Sequence, residues 1–146
     1  MEANNSDTRK LLRECHAGIK MGIASLDDVM NSVSEYSLER RIKDSKRAHE
    51  RLRIETEEQL NNIRDKGKNP NPMAKTMSHI KTKAVTAADK TDHAVAKLVI
   101  KGCDMGVKSL NRYMDKYAAA DESGKALAGR IIAEEQGLRN DLEQYL

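Results

Sequence analysis

Apolar residues recur along most of this chain at alternating steps of three and four, the spacing that places side chains on one face of an α-helix. Leu12, Cys15, Ile19, Ile23, Leu26, Met30 and Val33 form the first run and predict a helix over about 7–33, with Asp7 as its N-cap. A polar stretch containing Asn31, Ser32, Ser34 and Ser37 separates it from a second run: Leu38, Ile42, Ser45, His49, Leu52, Thr56, Leu60 and Ile63. That run predicts a helix over about 37–66, ending at Gly67 and antiparallel to the first because the turn is short. The one strong interruption is GKNPNP at 67–72. A short helix is expected over 72–84, with Met73, Met77, Ile80 and Ala84 on one face. Asp89 to Asp92 resemble a capping box and open a third long helix over about 89–118, its seam being Val95 or Ala96, Val99, Cys103, Gly106, Leu110, Met114 and Tyr117. Asp121 caps a fourth over about 121–144, with Leu127, Ile131, Glu134, Leu138, Leu142 and Tyr145 inward.

Residues 18–30 read GIKMGIASLDDVM and residues 102–114 read GCDMGVKSLNRYM, so six identities recur at a constant offset of 84. The chain therefore reads as an all-α four-helix bundle made of two copies of one helix hairpin, joined by a crossover long enough to run the bundle's length. That connection lets the third helix run parallel to the second, giving an up, down, down, up order. Each copy carries a strip of small residues, Gly18, Gly22 and Ser25 in one and Gly102, Gly106 and Ser109 in the other. Small side chains allow backbones to approach closely, so the first and third long helices are expected to cross there.

With 146 residues the chain has the size of one domain, and the whole of 1–146 is read as such. Phe and Trp are absent and only four Tyr are present, which leaves Leu, Ile, Val, Ala and Met to fill the interior. No stretch approaches the roughly 20 apolar residues of a membrane span, and the polar start MEANNSDTRK lacks the apolar run of a signal peptide. A cytoplasmic location with no membrane partner is expected. The two cysteines are then expected as free thiols. A net charge of +3 is too small to imply a nucleic-acid partner. No phosphate-binding loop, nucleotide fingerprint or Ser-His-Asp set is present, so no reaction is assigned.

The paired hairpins and long crossover resemble the ferritin-like superfamily over essentially the whole chain. The segments ECHAGIKMG, SKRAHERL, NPMAKTMSHIKT and KGCDMGVKSLNRY are similar to a bacterial family of ferritin-like domains of unknown function. In metal-using members, the resemblance implies a Glu from each of the first and third helices, and Glu, two residues, His from each of the others. The pattern here departs from that. His49 matches, but Lys46 stands three residues before it; Glu135 is followed three residues later by Leu138. Glu14 and Asp104 sit off their seams. A complete di-iron site is not expected.

The polar residues on the seams are Cys15, His49, Cys103 and Glu134, one per long helix. Thiolate, imidazole and carboxylate together are donors for Fe, Mn or Zn, so these four are the candidate metal ligands. Counted from the turns, however, Cys15 and Glu134 stand about five residues from the level of His49 and Cys103, roughly 7 Å. The bland alternative makes the cysteines small buried hydrophobes and His49 with Glu134 a hydrogen-bonded pair. His16, His79 and His93 fall off the seams and are expected at the surface. Arg40, Lys43, Arg47 and Arg51 form a basic stripe on the second helix, a candidate surface for an anionic partner, although Glu39, Asp44, Glu50 and Glu55 can neutralise it. The leading expectation is a homodimeric binding or assembly module; the rivals are a metal-binding oxidoreductase or storage relative around His49, and anion binding through the stripe.

Overall fold

The computed structural model describes residues 2–65, 67 and 91–146. Four α-helices account for most of them: α1 Glu2–Met30, α2 Tyr36–Asn62, α3 Asp92–Lys116 and α4 Glu122–Leu142, followed by a 3-10 turn over Glu143–Tyr145. Among the described residues there is no strand, and no helix is long and apolar enough to cross a membrane. The short helix expected over 72–84, with His79, lies outside the described residues.

Buried apolar residues form two clusters, one in each half of the bundle. The first joins Leu26 and Val29 near the end of α1 to Leu38 and Ile42 at the start of α2, Val95, Val99 and Cys103 of α3, and Leu138 and Leu142 at the end of α4. The second joins Leu11, Leu12, Cys15 and Ile19 of α1 to Leu60 of α2, Leu110 of α3, and Leu127 and Ile131 of α4. Since each cluster takes opposite ends of α1 and α2, and likewise of α3 and α4, the order is up, down, down, up. Helix α1 packs beside both α2 and α3, and α4 beside both α3 and α2.

Several helix ends differ from the sequence reading. Helix α1 begins at Glu2, five residues before Asp7, so Asp7 caps nothing on its own helix. Its carboxylate instead accepts the Ala119 N–H at 3.1 Å, and Thr8 Oγ1 accepts the Asp121 N–H at 2.8 Å. These residues belong to the turn between α3 and α4. The other hairpin receives the same treatment, because the Asp92 carboxylate in the first turn of α3 accepts the N–H groups of Ser34 and Glu35, each at 2.8 Å. Each hairpin's leading helix thus closes the turn of the other. Helix α3 is described from Asp92, with Thr91 as its extended N-cap and Thr91 Oγ1 accepting the Ala94 N–H at 3.0 Å; Asp89 of the expected capping box lies outside the described residues. Asp121 caps α4 as expected, through Gly124 N–H at 2.8 Å.

Helix α2 stops at Asn62, short of Gly67, because Arg64 turns left-handed at φ 59 and the Asp65 N–H reaches back to the Leu60 carbonyl at 2.8 Å. That is a Schellman closure built on a non-glycine residue. Gly67, at φ 84, serves a second turn and lies against the His16 ring, where an added Cβ would stand 2.4 Å from Nδ1. His16 is accordingly buried, at 4% exposure, and its Nε2 is 2.9 Å from Glu57 Oε2. The surface position expected for it is wrong: one turn of α2 and the chain leaving that helix cover it. His93 is exposed.

Candidate functional site

Between the two apolar clusters the bundle carries a polar layer. Helix α2 contributes Ser45 and His49, both at most 1% exposed, on the inward row that also holds Leu38, Ile42, Thr56 and Leu60. Helix α4 contributes Glu134 and Glu135. The His49 ring makes two close polar contacts: Nδ1 lies 2.8 Å from the Ser45 carbonyl and Nε2 lies 2.7 Å from Glu135 Oε1. A carbonyl oxygen can only accept, so Nδ1 carries a proton. The short Nε2 contact then holds one proton more, which makes the pair an imidazolium facing a carboxylate or a neutral imidazole facing a carboxylic acid.

Electrostatics favours the ion pair. Burial pulls the His49 pKa down, but the hydrogen bond and charge of Glu135, the Ser45 carbonyl and the charge of Glu134 together outweigh it, and the net shift is upward. Glu134 does not face His49 directly. It accepts the Ser45 hydroxyl at 2.8 Å and stands 3.7 Å from Arg41, which is anchored to Asp141 at 2.7 Å.

From α3 the layer receives Cys103, whose thiol pKa is driven far up by burial first and then by the charge and hydrogen bonding of Glu135. It is held as a neutral S–H. Helices α1 and α3 also bring glycines beside the pair: a Cβ on Gly22 would stand 3.0 Å from His49 Cδ2, and one on Gly106 would stand 3.7 Å from Glu135 Oε2. Gly22 and Gly106, equivalent in the 84-residue repeat, therefore form the two walls that flank the pair.

The expected helix crossing is corrected accordingly. Helices α1 and α3 are neighbours, but Gly18 and Gly102 are exposed and a Cβ on either meets nothing within 4 Å. Ser25 and Ser109 are half-buried. What Gly22 and Gly106 accommodate is a pair of polar side chains from the other two helices, not a neighbouring backbone.

The four candidate metal ligands are not brought to one point. Cys103 and His49 share Glu135 as a neighbour, Glu134 is set to one side, and Cys15 lies in the other half of the core with its thiol pKa pushed up to about 12, by burial first and then by Glu14. Among the described residues no group of three or more His, Cys, Asp or Glu is placed to hold a metal ion. Both cysteines are buried and unpaired, as the sequence implied.

Glu135, the residue that meets His49, was passed over in the sequence for Glu134. The buried row of α4 runs Gly124, Ala128, Ile131, Leu138 and Leu142, and Glu135 is the position that continues its alternation of four and three. A second signal was available. His49 and Glu135 lie 86 residues apart, and the same offset takes buried Leu38, Ile42, Ser45 and Thr56 of α2 onto buried Gly124, Ala128, Ile131 and Leu142 of α4. Helix α3 runs to Lys116, two residues past Met114, the counterpart of Met30 at the end of α1, so the offset beyond the turn becomes 86 and selects Glu135.

On the outer surface, Arg40, Lys43, Arg47 and Arg51 are all exposed. Lys43 pairs with Glu39 at 2.8 Å and Arg47 with Asp44 at 3.0 Å, so half of that stripe is neutralised. Arg51 borders a shallow groove between α2 and α4, where Arg130 bridges to Glu55. Comparison of the chain with protein-family models, curated proteins and solved structures finds no match.

Proposed function

We propose that this chain is a ferritin-like bundle that works from its outer surface as a binding or assembly module, its polar layer fixing how the two hairpins pair. The observation that carries this reading is the completeness of the layer. Both His49 nitrogens are engaged within the chain, and among the described residues no buried side-chain nitrogen or oxygen lacks a hydrogen-bond partner. A polar network satisfied throughout rigidifies a core and specifies one packing, which suits a structural role for this layer. The ferritin-like part draws support from the up, down, down, up order, the mutual closing of the turns and the matching buried rows.

A di-iron carboxylate centre does not suit the donors present. One imidazole and one carboxylate meet, the thiol beside them stays protonated, and α1 and α3 offer glycine, not carboxylate, at Gly22 and Gly106. The rival with a reduced ligand set has one observation behind it: an Nδ1–H held by a backbone carbonyl is also how metal-binding imidazoles are oriented. Elemental analysis of protein purified without a metal-binding tag separates the two. We expect Fe, Mn and Zn well below one per chain and unchanged in His49→Ala; a stoichiometric metal lost in that variant overturns the proposal. The homodimer belongs to the same reading, and a single-chain mass by light scattering removes it.

A further inference from the structure

We propose that the outward face of α3 is a docking surface for the phosphate backbone of double-stranded nucleic acid, engaged without reading base sequence. This deepens the binding-module reading and rests on it. Lys97, Lys101, Lys108, Arg112 and Lys116 are all exposed and, among the described residues, none makes an ion pair. On α2, by contrast, Arg41, Lys43, Lys46, Arg47 and Arg53 each meet a carboxylate, and among the described residues only Arg40 and Arg51 of that helix make no ion pair. At 3.6 residues per turn the five α3 cations fall within an arc of about 100°, centred opposite the buried row of Val99, Cys103 and Leu110, and they span about 28 Å of straight helix. Two acids lie at the edge of this face, Asp104, which is tied to Arg139 at 2.8 Å, and the exposed Asp115. The net charge of +3 averages over the chain and conceals this concentration.

The character of the face selects the occupant. Protein interfaces draw most of their affinity from apolar and aromatic anchors, and membrane-surface helices insert an apolar face. Here the apolar face of α3 is already in the core, and the outward one offers a single large apolar side chain, Met105. A phosphodiester backbone needs no anchor, because neutralising phosphates and releasing their counterions supplies the affinity. Tyr113 and Tyr117 stack on each other, pack against the core and carry Arg112 and Lys116 over their rings. They offer no free platform for unpaired bases, so a duplex is favoured over a single strand.

The test is fluorescence anisotropy with a mixed-sequence duplex DNA across a sodium chloride series. Full-length protein is expected to bind at low salt, with log K falling against log salt at a slope of about −4, so that doubling the salt weakens binding about 16-fold. Lys101→Ser/Lys108→Ser/Arg112→Ser should flatten the slope by about 3 and abolish binding at intermediate salt. Arg40→Ser/Lys43→Ser/Arg47→Ser/Arg51→Ser on α2 should leave both unchanged, and Lys101→Arg/Lys108→Arg should bind as wild type. Circular dichroism melts verify that each variant is folded, and exposed side chains make that the expected result. Absence of wild-type binding at low salt, an equal loss in the α2 variant, or capture by phosphatidylserine vesicles without duplex binding overturns the proposal. Any of these leaves the metal analysis untouched, whereas stoichiometric metal at His49 removes the broader reading whatever α3 binds.

Discussion

The His49 imidazole and the Glu135 carboxylate meet at 2.7 Å, 86 residues apart in sequence, the same offset that carries buried Leu38, Ile42, Ser45 and Thr56 of α2 onto buried positions of α4. One position holds a base and the other an acid. Two identical copies could not achieve that, since His would face His or Glu would face Glu. The pairing of unlike hairpins is thus written into the layer as opposite charge.

Removing one partner of a buried pair strands the other, and Glu135 is the more enclosed of the two α4 carboxylates, at 13% side-chain exposure against 21% for Glu134. Glu135→Ala is expected to destabilise the fold on the order of 3 kcal/mol. Glu134→Ala, which removes a serine hydrogen bond and a looser ion pair, is expected to cost about 1 kcal/mol. Urea unfolding of the two variants decides the order, and equal midpoints would contradict it.

The pair also predicts a pH dependence. Its net effect raises the His49 pKa in the folded state. Stability from the pair is therefore fully present below the unfolded imidazole value of about 6.5 and is lost as pH rises through the higher folded value. Wild-type Tm should fall from pH 6 upward relative to His49→Gln. Parallel profiles for the two proteins across pH 6–9 would rule the ion pair out.

The four repeat glycines divide into two kinds. Gly18 and Gly102 stand in helix with open space around them, so Gly18→Ala and Gly102→Ala should each stabilise by roughly 0.5–1 kcal/mol. Gly106→Ala adds an ordinary contact and should be close to neutral. Gly22→Ala forces the His49 ring to move and should lose stability despite the better helix residue. A thermal series of the four alanines reads this order directly.

Much of the fold was legible because the inward rows of Leu, Ile and Val carry a clean three-four period, and Asp121 sits where a cap belongs. The starts of α1 and α3 were not, since Asp7 and Asp92 look like caps for their own helices and instead reach across to the opposite hairpin's turn. Nothing local marks that choice; it is decided by tertiary packing. The site was half legible. His49 is the only His on a seam, but two adjacent glutamates differ by one helical step, and choosing between them required extending the repeat beyond the glycine segment. His16 was misplaced because its cover comes from Glu57 and Gly67, far away in sequence. The unneutralised face of α3 escaped notice because pairing between helices, as in Asp104 with Arg139, decides which cations stay bare.

The crossed closing of the turns has a consequence for how the molecule comes apart. With Asp7 and Thr8 serving the second turn and Asp92 serving the first, neither hairpin has its bare N–H groups covered until the other has docked. A hairpin made as a separate peptide should be largely unstructured, and a mixture of the two should assemble. Within the intact chain, the deepest amides of α1 and α4 should exchange with deuterium at one common rate, since each half can open only by releasing the other.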